Sequence, residues 1–331
     1  MSTSTLKGWT KDSSSGLYQF RVYNSSGTSL PVFDENADLY NAGSSLGSQY
    51  YKTYYVDSNA GVDTNSGTSW ATAYKTLAVA LAASHASIAA ASAGYAARNR
   101  IFFKGDQTGA SEGETLVKLA QKTDIIGVGS TDWRAKPRLQ GNHTVPATIS
   151  YMGCRFINME FGGPTVTGGD IFTVTGVHGL QFIGCSFRGN STTAATAAIV
   201  ATACVDLKII GCDFTGAFSD AVIELGAGQA DGFLVEGNFI QGANMGIDIA
   251  STVTYAANKC GMIKDNVISS TLACINDALA TTFVINNRLR TAANKGAGMA
   301  GCIVCGITYA QDNRCTTGDA NNVVYPAEGA I

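Results

Sequence analysis

Apolar and polar residues alternate at strand spacing through most of this chain, and the alternating segment returns. Gly179-Leu-Gln-Phe-Ile-Gly-Cys-Ser-Phe187 recurs as Asp206-Leu-Lys-Ile-Ile-Gly-Cys-Asp-Phe214 and as Gly232-Phe-Leu-Val-Glu-Gly-Asn-Phe-Ile240. Looser copies run from Met262 to Ile268, Phe283 to Leu289, Tyr151 to Phe156 and Ala310 to Cys315. Aligned on Cys or Asn, the copies place Cys154, Cys185, Cys212, Asn238, Asn266, Asn287 and Asn313 in one column. Three positions earlier stand Tyr151, Phe182, Ile209, Val235, Ile263, Val284 and Ala310. Two positions later stand Phe156, Phe187, Phe214, Ile240, Ile268, Leu289 and Cys315. A unit of roughly 21 to 31 residues cannot bury its own apolar face and must stack on its neighbours.

The alternation has period two, with Gly or Asn at the segment ends, and no helical period. A second short apolar stretch precedes most copies: Ile171 to Val174, Ala198 to Val200, Ala221 to Leu225, Gly246 to Ile249, Cys274 to Asn276 and Cys302 to Val304. Two or three strands per turn of about 25 residues define an all-β, single-stranded, right-handed parallel β-helix whose like positions form ladders about 4.8 Å apart. Asn in such a column can bond the turns on either side, and Cys is small and apolar enough to replace it.

Composition agrees. Only 14% of the 331 residues are charged and 38 are Gly, which suits tight turns and flat stacked faces and argues against disorder. The net charge is −3 with no long run of one sign, so nucleic acid, whose phosphates need a basic face, is not an expected partner. No apolar run reaches the length of about 18 residues that spans a membrane, and the opening residues lack the apolar core of a secretory signal. The nine cysteines, an odd number set among apolar neighbours, are expected as buried free thiols. Cys185 and Cys212, in adjacent turns, are the pair whose spacing would also allow a disulfide.

The first 50 residues differ from the rest. Tyr18 to Tyr23 and Leu30 to Phe33 read as a hairpin, with Asp38 to Gly47 as a linker. The alternating Tyr18, Phe20, Val22 and Phe33 make residues 1–50 a candidate arm that binds a partner. Residues 51–100 then hold a strand, a Gly/Asp-rich loop, and an Ala-rich helix from Ala71 to about Ala91 that caps the solenoid of residues 101–331. The run Tyr54-Tyr-Val-Asp-Ser-Asn-Ala-Gly-Val-Asp through Trp70 to Leu77 resembles the opening of pectate-lyase-like β-helix proteins. That resemblance implies architecture and carries no activity.

Candidate chemistry is sparse. The second strands align Glu224, Asp248 and Asn276 in one outward column, with Asp220 and Asp277 nearby. The spacing of about 5 Å is the one a retaining glycosidase needs. Asp57 and Asp63 bring oxygen ligands for calcium but not the full spaced set, so an Asx-rich turn is the favoured reading. His85, His143 and His178 are solitary, Cys302-Ile-Val-Cys305 has no second pair, and no cofactor motif is present.

Two functions fit. The plan of a short N-terminal segment followed by a β-helix resembles bacteriophage tailspikes, fibres and capsid decorations. This implies a structural virion protein, made in the host cytoplasm, docking on another virion protein through residues 1–50 and forming a homotrimer. The alternative is a polysaccharide-degrading enzyme acting on a host glycan through Glu224 and Asp248.

Overall fold

A computed structural model describes residues 7–11, 18–23, 29–34, 40–41, 44–45, 51–91, 97–105, 115–129, 136–146, 152–163, 168–190, 194–256, 259–278, 282–291, 302–305 and 309–316, with backbone only before residue 51. The chain forms two compact units. One comprises residues 1–51 with 95–98, and the other residues 52–94 with 99–331.

In the first unit, Lys7–Lys11, Tyr18–Tyr23 and Ser29–Asp34 form an antiparallel three-stranded sheet in which Phe20 lies opposite Phe33. The stretch read as a linker contains a second, very short hairpin, Tyr40–Asn41 with Ser44–Ser45. Tyr18, Phe20, Val22 and Phe33 lie on these strands, and their side chains fall outside the described residues.

The second unit is a parallel β-helix. A ten-stranded sheet stacks Lys52–Asp57, Asn99–Lys104, Thr123–Gly127, Arg155–Ile157, Gln181–Ile183, Lys208–Ile210, Leu234–Glu236, Met262–Lys264, Phe283–Ile285 and Tyr309–Gln311. All neighbours in it are parallel. Lys52–Asp57 is already its outermost strand, so the stack begins before Asn99. A thirteen-stranded sheet forms the other walls, because the long strands Phe239–Ile249 and Val267–Asp277 bend around a corner and join two arms.

The corner between the ten-stranded sheet and the next wall needs left-handed backbone. Gly184, Gly211 and Gly237 hold φ of 58°, 60° and 65° there, and Asn158, Asp265, Asn286 and Asp312 hold 52–57°. Asn and Asp are the side chains that best tolerate this region. Each of these residues immediately precedes the ladder position.

That corner corrects the first copy of the repeat. The structure pairs Phe156 with Phe182 and Phe161 with Phe187, which places Met159, not Cys154, at the position of Cys185. Arg155-Phe-Ile-Asn-Met-Glu-Phe161 is the true counterpart of Gln181-Phe-Ile-Gly-Cys-Ser-Phe187. Cys154 follows a glycine as Cys185 does, but the left-handed corner of this turn is Asn158. Cys154 is buried one strand-start earlier, and its carbonyl accepts Gln181 N–H at 3.0 Å as Leu180 O accepts Lys208 N–H at 2.9 Å. Tyr151 lies outside the described residues.

From Cys212 onward the column is a bonded ladder. Asn238 Oδ1 accepts Cys212 N–H at 2.8 Å, Asn266 Oδ1 accepts Asn238 N–H at 3.0 Å, and Asn287 and Asn313 repeat this at 3.0 and 2.9 Å. Each asparagine also donates Nδ2–H to a carbonyl of the preceding turn: Ile209, Val235, Ile263 and Val284. Cys212 Sγ makes the equivalent contact with Phe182 O at 3.5 Å, so the thiol substitutes weakly for an amide.

The core lies inside the coil. Phe156, Phe161, Phe172, Phe182, Phe187 and Phe214 are fully buried and stack in part face to face, as at 5.5 Å and 10° for Phe156 on Phe182. One expected thiol pair is instead oxidised: Cys302 is bonded to Cys315. Their Cα atoms stand 6.0 Å apart, within the range of about 4.4–6.8 Å that a disulfide tolerates. Looking only for cysteines stacked in one column, as at Cys185 and Cys212, missed a pair that bridges two walls. Cys154, Cys185 and Cys212 are buried and not disulfide-bonded, and the side chain of Cys305 is outside the described residues.

The helix is shorter than its Ala-rich stretch. Trp70–Thr72 is a 3-10 turn, and the α-helix spans Leu77–Ala89 with Leu77, Ala80, Leu81, Ser84 and Ile88 buried. Tyr74 cannot join it, because its backbone bonds Tyr55 O and Asp57 N–H. Ser84 O accepts Asn99 Nδ2–H, and Ala83 O accepts the Tyr54 hydroxyl, which ties the helix to the first two strands.

Candidate functional site

Along one arm of the larger sheet the pairs Val200–Glu224, Glu224–Asp248 and Asp248–Asn276 are in register. Their neighbours Ile199, Ile223, Ile247 and Ile275 on one side, and Ala201, Leu225 and Ile249 on the other, are buried. Period-two alternation therefore turns Glu224, Asp248 and Asn276 outward. Asn276 Nδ2 donates to Asp248 Oδ1 at 2.6 Å.

Burial raises the pKa of Glu224, and the charges of Asp248, Asp220 and Asp170 raise it further. Burial also raises Asp248. The Asn276 amide opposes this, the Asp220 charge reinforces it, and the net shift is upward. These two carboxyls stand on adjacent turns, the turns being about 4.8 Å apart, and each is disfavoured in its ionised form. Such a pair can act as acid and base, or as a hydrogen-bonding column for hydroxyl-rich ligands.

Asp277 does not belong to this group. It follows Asn276 directly, so it faces inward, is fully buried, and accepts Thr282 N–H at 3.3 Å. Asp170, two turns before Glu224, falls outside the strand alignment because it lies before the strand Phe172–Thr175.

The carboxylates of Asp57 and Asp63 are each engaged by donors of the protein itself. Asp57 Oδ1 accepts Asn59 and Ala60 N–H at 3.1 and 3.0 Å, and Oδ2 pairs with Lys104 Nζ at 2.9 Å. Burial pushes its pKa up, but the Ala60, Lys104 and Asn59 hydrogen bonds together outweigh it and lower the pKa. Asp63 Oδ1 instead accepts Lys75 and Thr76 N–H at 2.9 and 2.8 Å, securing the start of the helix. Among the described residues no His, Cys, Asp and Glu group of three is arranged to hold a metal ion. His143 is a core residue: its Nδ1 accepts Leu116 N–H at 3.2 Å, and its ring packs on Phe161 and Phe172.

No family model matches the sequence, and no curated protein matches it. Among solved structures the chain is similar to a polygalacturonate lyase fused with a self-assembling amphipathic peptide, at 11% identity and a TM-score of 0.39 over 70% of this chain and 82% of that one. It is also similar to a tailspike protein mutant of E. coli bacteriophage HK620 in complex with a hexasaccharide, at 12% identity and 0.38 over 70% and 50%. A third similar structure is the tailspike protein of Acinetobacter phage vB_ApiP_P1, at 12% identity and 0.32 over 73% and 55%. The chain spans about half the length of these tailspikes.

Proposed function

We propose that this chain is a structural component of a bacteriophage particle, a spike, fibre or capsid decoration that docks on another virion protein through residues 1–50 and associates as a homotrimer. The observation that carries this reading is the division of labour in the chain. A solenoid cross-bonded by an asparagine ladder accompanies a separate N-terminal β-unit with its own sheet. Repetitive hydrogen bonding of this kind favours rigidity over the movable loops that catalysis uses. Among the described residues no helix is long and apolar enough to cross a membrane. Deleting residues 1 to 45 should leave a folded β-helix that no longer binds the particle. A truncated chain that still binds would refute docking through this segment.

The second reading is a glycan-cleaving β-helix enzyme, and the raised pKa of both Glu224 and Asp248 favours it. Loss of hydrolysis of a capsular or host glycan on Glu224→Gln or Asp248→Asn would establish it over the structural role.

A further inference from the structure

One outward column of the larger sheet changes character along the stack. Its successive residues are Asp213, Phe239, Val267, Arg288 and Arg314, paired in register. Each is followed by a buried core residue (Phe214, Ile240, Ile268, Leu289 and Cys315), so all five project outward. Phe239 and Val267 are 43% and 41% exposed, well above what packing position requires of large apolar side chains. Arg288, Arg290 and Arg314 are exposed, and Arg290 shares the face of Arg288 two residues away on the strand Arg288–Thr291.

This arrangement is unfavourable by itself. Arg288 and Arg314 are directly opposite in adjacent strands, where like charges repel. Among the described residues none of the three arginines forms an ion pair. The acids at hand, Asp265 and Asp312, sit at the left-handed corners, and Asp265 holds the Asn286 amide at 2.6 Å. Three unpaired cations in a chain of net charge −3 are a local inversion of its charge.

We propose that this strip binds a short acidic segment of a partner protein, with an apolar residue seated on Phe239 and Val267 and carboxylates held by Arg288, Arg290 and Arg314. The strip reaches about 14 Å over three turn spacings. A strip of that length and one or two side chains wide covers far less than the roughly 800 Å² per side of a stable interface between folded proteins, so it suits a peptide segment. Arginine forks match carboxylates bidentately, and aromatic residues and Arg are enriched in protein interfaces. An aliphatic Val267 next to the ring favours a peptide side chain over a sugar. The site is distinct from the Glu224–Asp248 column, and it depends neither on particle docking through residues 1–50 nor on glycan cleavage.

The test is a fluorescence-anisotropy titration of the full chain with a labelled peptide of Asp and Glu residues around a central Leu. Its Asn/Gln counterpart and an oligouronate serve as comparisons. The acidic peptide should bind, more weakly as salt rises, and the amide peptide should bind at least about tenfold more weakly. The double variant Arg288→Gln/Arg314→Gln should lose at least about tenfold in affinity while its Tm is kept or raised, since both side chains are exposed and their mutual repulsion is removed. Phe239→Ser should weaken the acidic peptide as well. Absence of binding, equal binding of the amide peptide, or indifference to the arginine variant would overturn the proposal. An oligouronate that binds as tightly and ignores Phe239→Ser would also overturn it and assign the strip to a glycan.

Discussion

Phe187 lies flat on Phe214, with ring centroids 5.0 Å apart and planes 7° from parallel. The two rings are held on adjacent turns by parallel pairing of Ser186–Arg188 with Asp213–Thr215. Because the backbone ladder fixes that spacing, the layers cannot close over a missing ring. Phe214→Ala should therefore cost about 3–5 kcal/mol, the full range for a buried aromatic. Urea unfolding measures it, and a loss under 1 kcal/mol would show that the coil can collapse.

The asparagine ladder should be similarly intolerant. Asn266→Ala removes the acceptor for Asn238 N–H and Nδ2–H and the donor to Val235 O, all in the interior. Each buried group left unpaired costs roughly 1–3 kcal/mol, so the substitution should cost more than its lost packing. Asn266→Cys, which resembles the solution at Cys212, should restore part of the loss. Equal stability of the Ala and Cys variants would contradict the ladder as the source.

His143 should make stability fall in weak acid. Burial pushes its pKa down to about 4, with a backbone contact to Leu139 opposing. The unfolded histidine titrates near 6.5, so between about pH 6.5 and 4 the unfolded chain binds a proton that the folded chain refuses. The contribution is complete above pH 6.5, and on the order of 3 kcal/mol is lost by pH 4. His143→Phe should flatten this window in a comparison of unfolding curves.

Glu224 should act in the opposite sense. Its raised pKa means that the folded chain retains a proton at a pH where the unfolded chain has released it. Its stabilising contribution is present below the ordinary carboxylate range and is lost as pH rises through the folded pKa. Glu224→Gln should thus raise Tm at pH 7, and the gain should vanish toward pH 4. A lower Tm at pH 7 would place an unrecognised cationic partner beside the column.

Thiol counting tests the disulfide. Nine cysteines less the bonded Cys302 and Cys315 leave seven titratable groups in denatured, unreduced protein. Nine groups would mean that the pair is reduced.

The recurrence of Phe182, Phe187, Ile209 and Phe214 at inward positions was legible in the sequence, because parallel stacking makes every turn repeat the same alternation. From that repeat alone followed the parallel β-helix, the Cys and Asn column from Cys185 onward, and the outward alignment of Glu224, Asp248 and Asn276. The tertiary structure decided the first turn. The corner needs only a left-handed residue, which Asn158 supplies as well as Gly184 does, so identity of Gly-Cys pairs was a poor guide and Met159 holds the position assigned to Cys154. It also decided contacts between different walls, such as Cys302 with Cys315, since a linear repeat specifies which residues stack but not which face each other across the coil. The stacking of Arg288 on Arg314 belongs to the repeat as well, since each follows a ladder asparagine. What only the tertiary structure decided is that, among the described residues, no acid forms an ion pair with Arg288, Arg290 or Arg314, because pairing depends on which side chains meet in space.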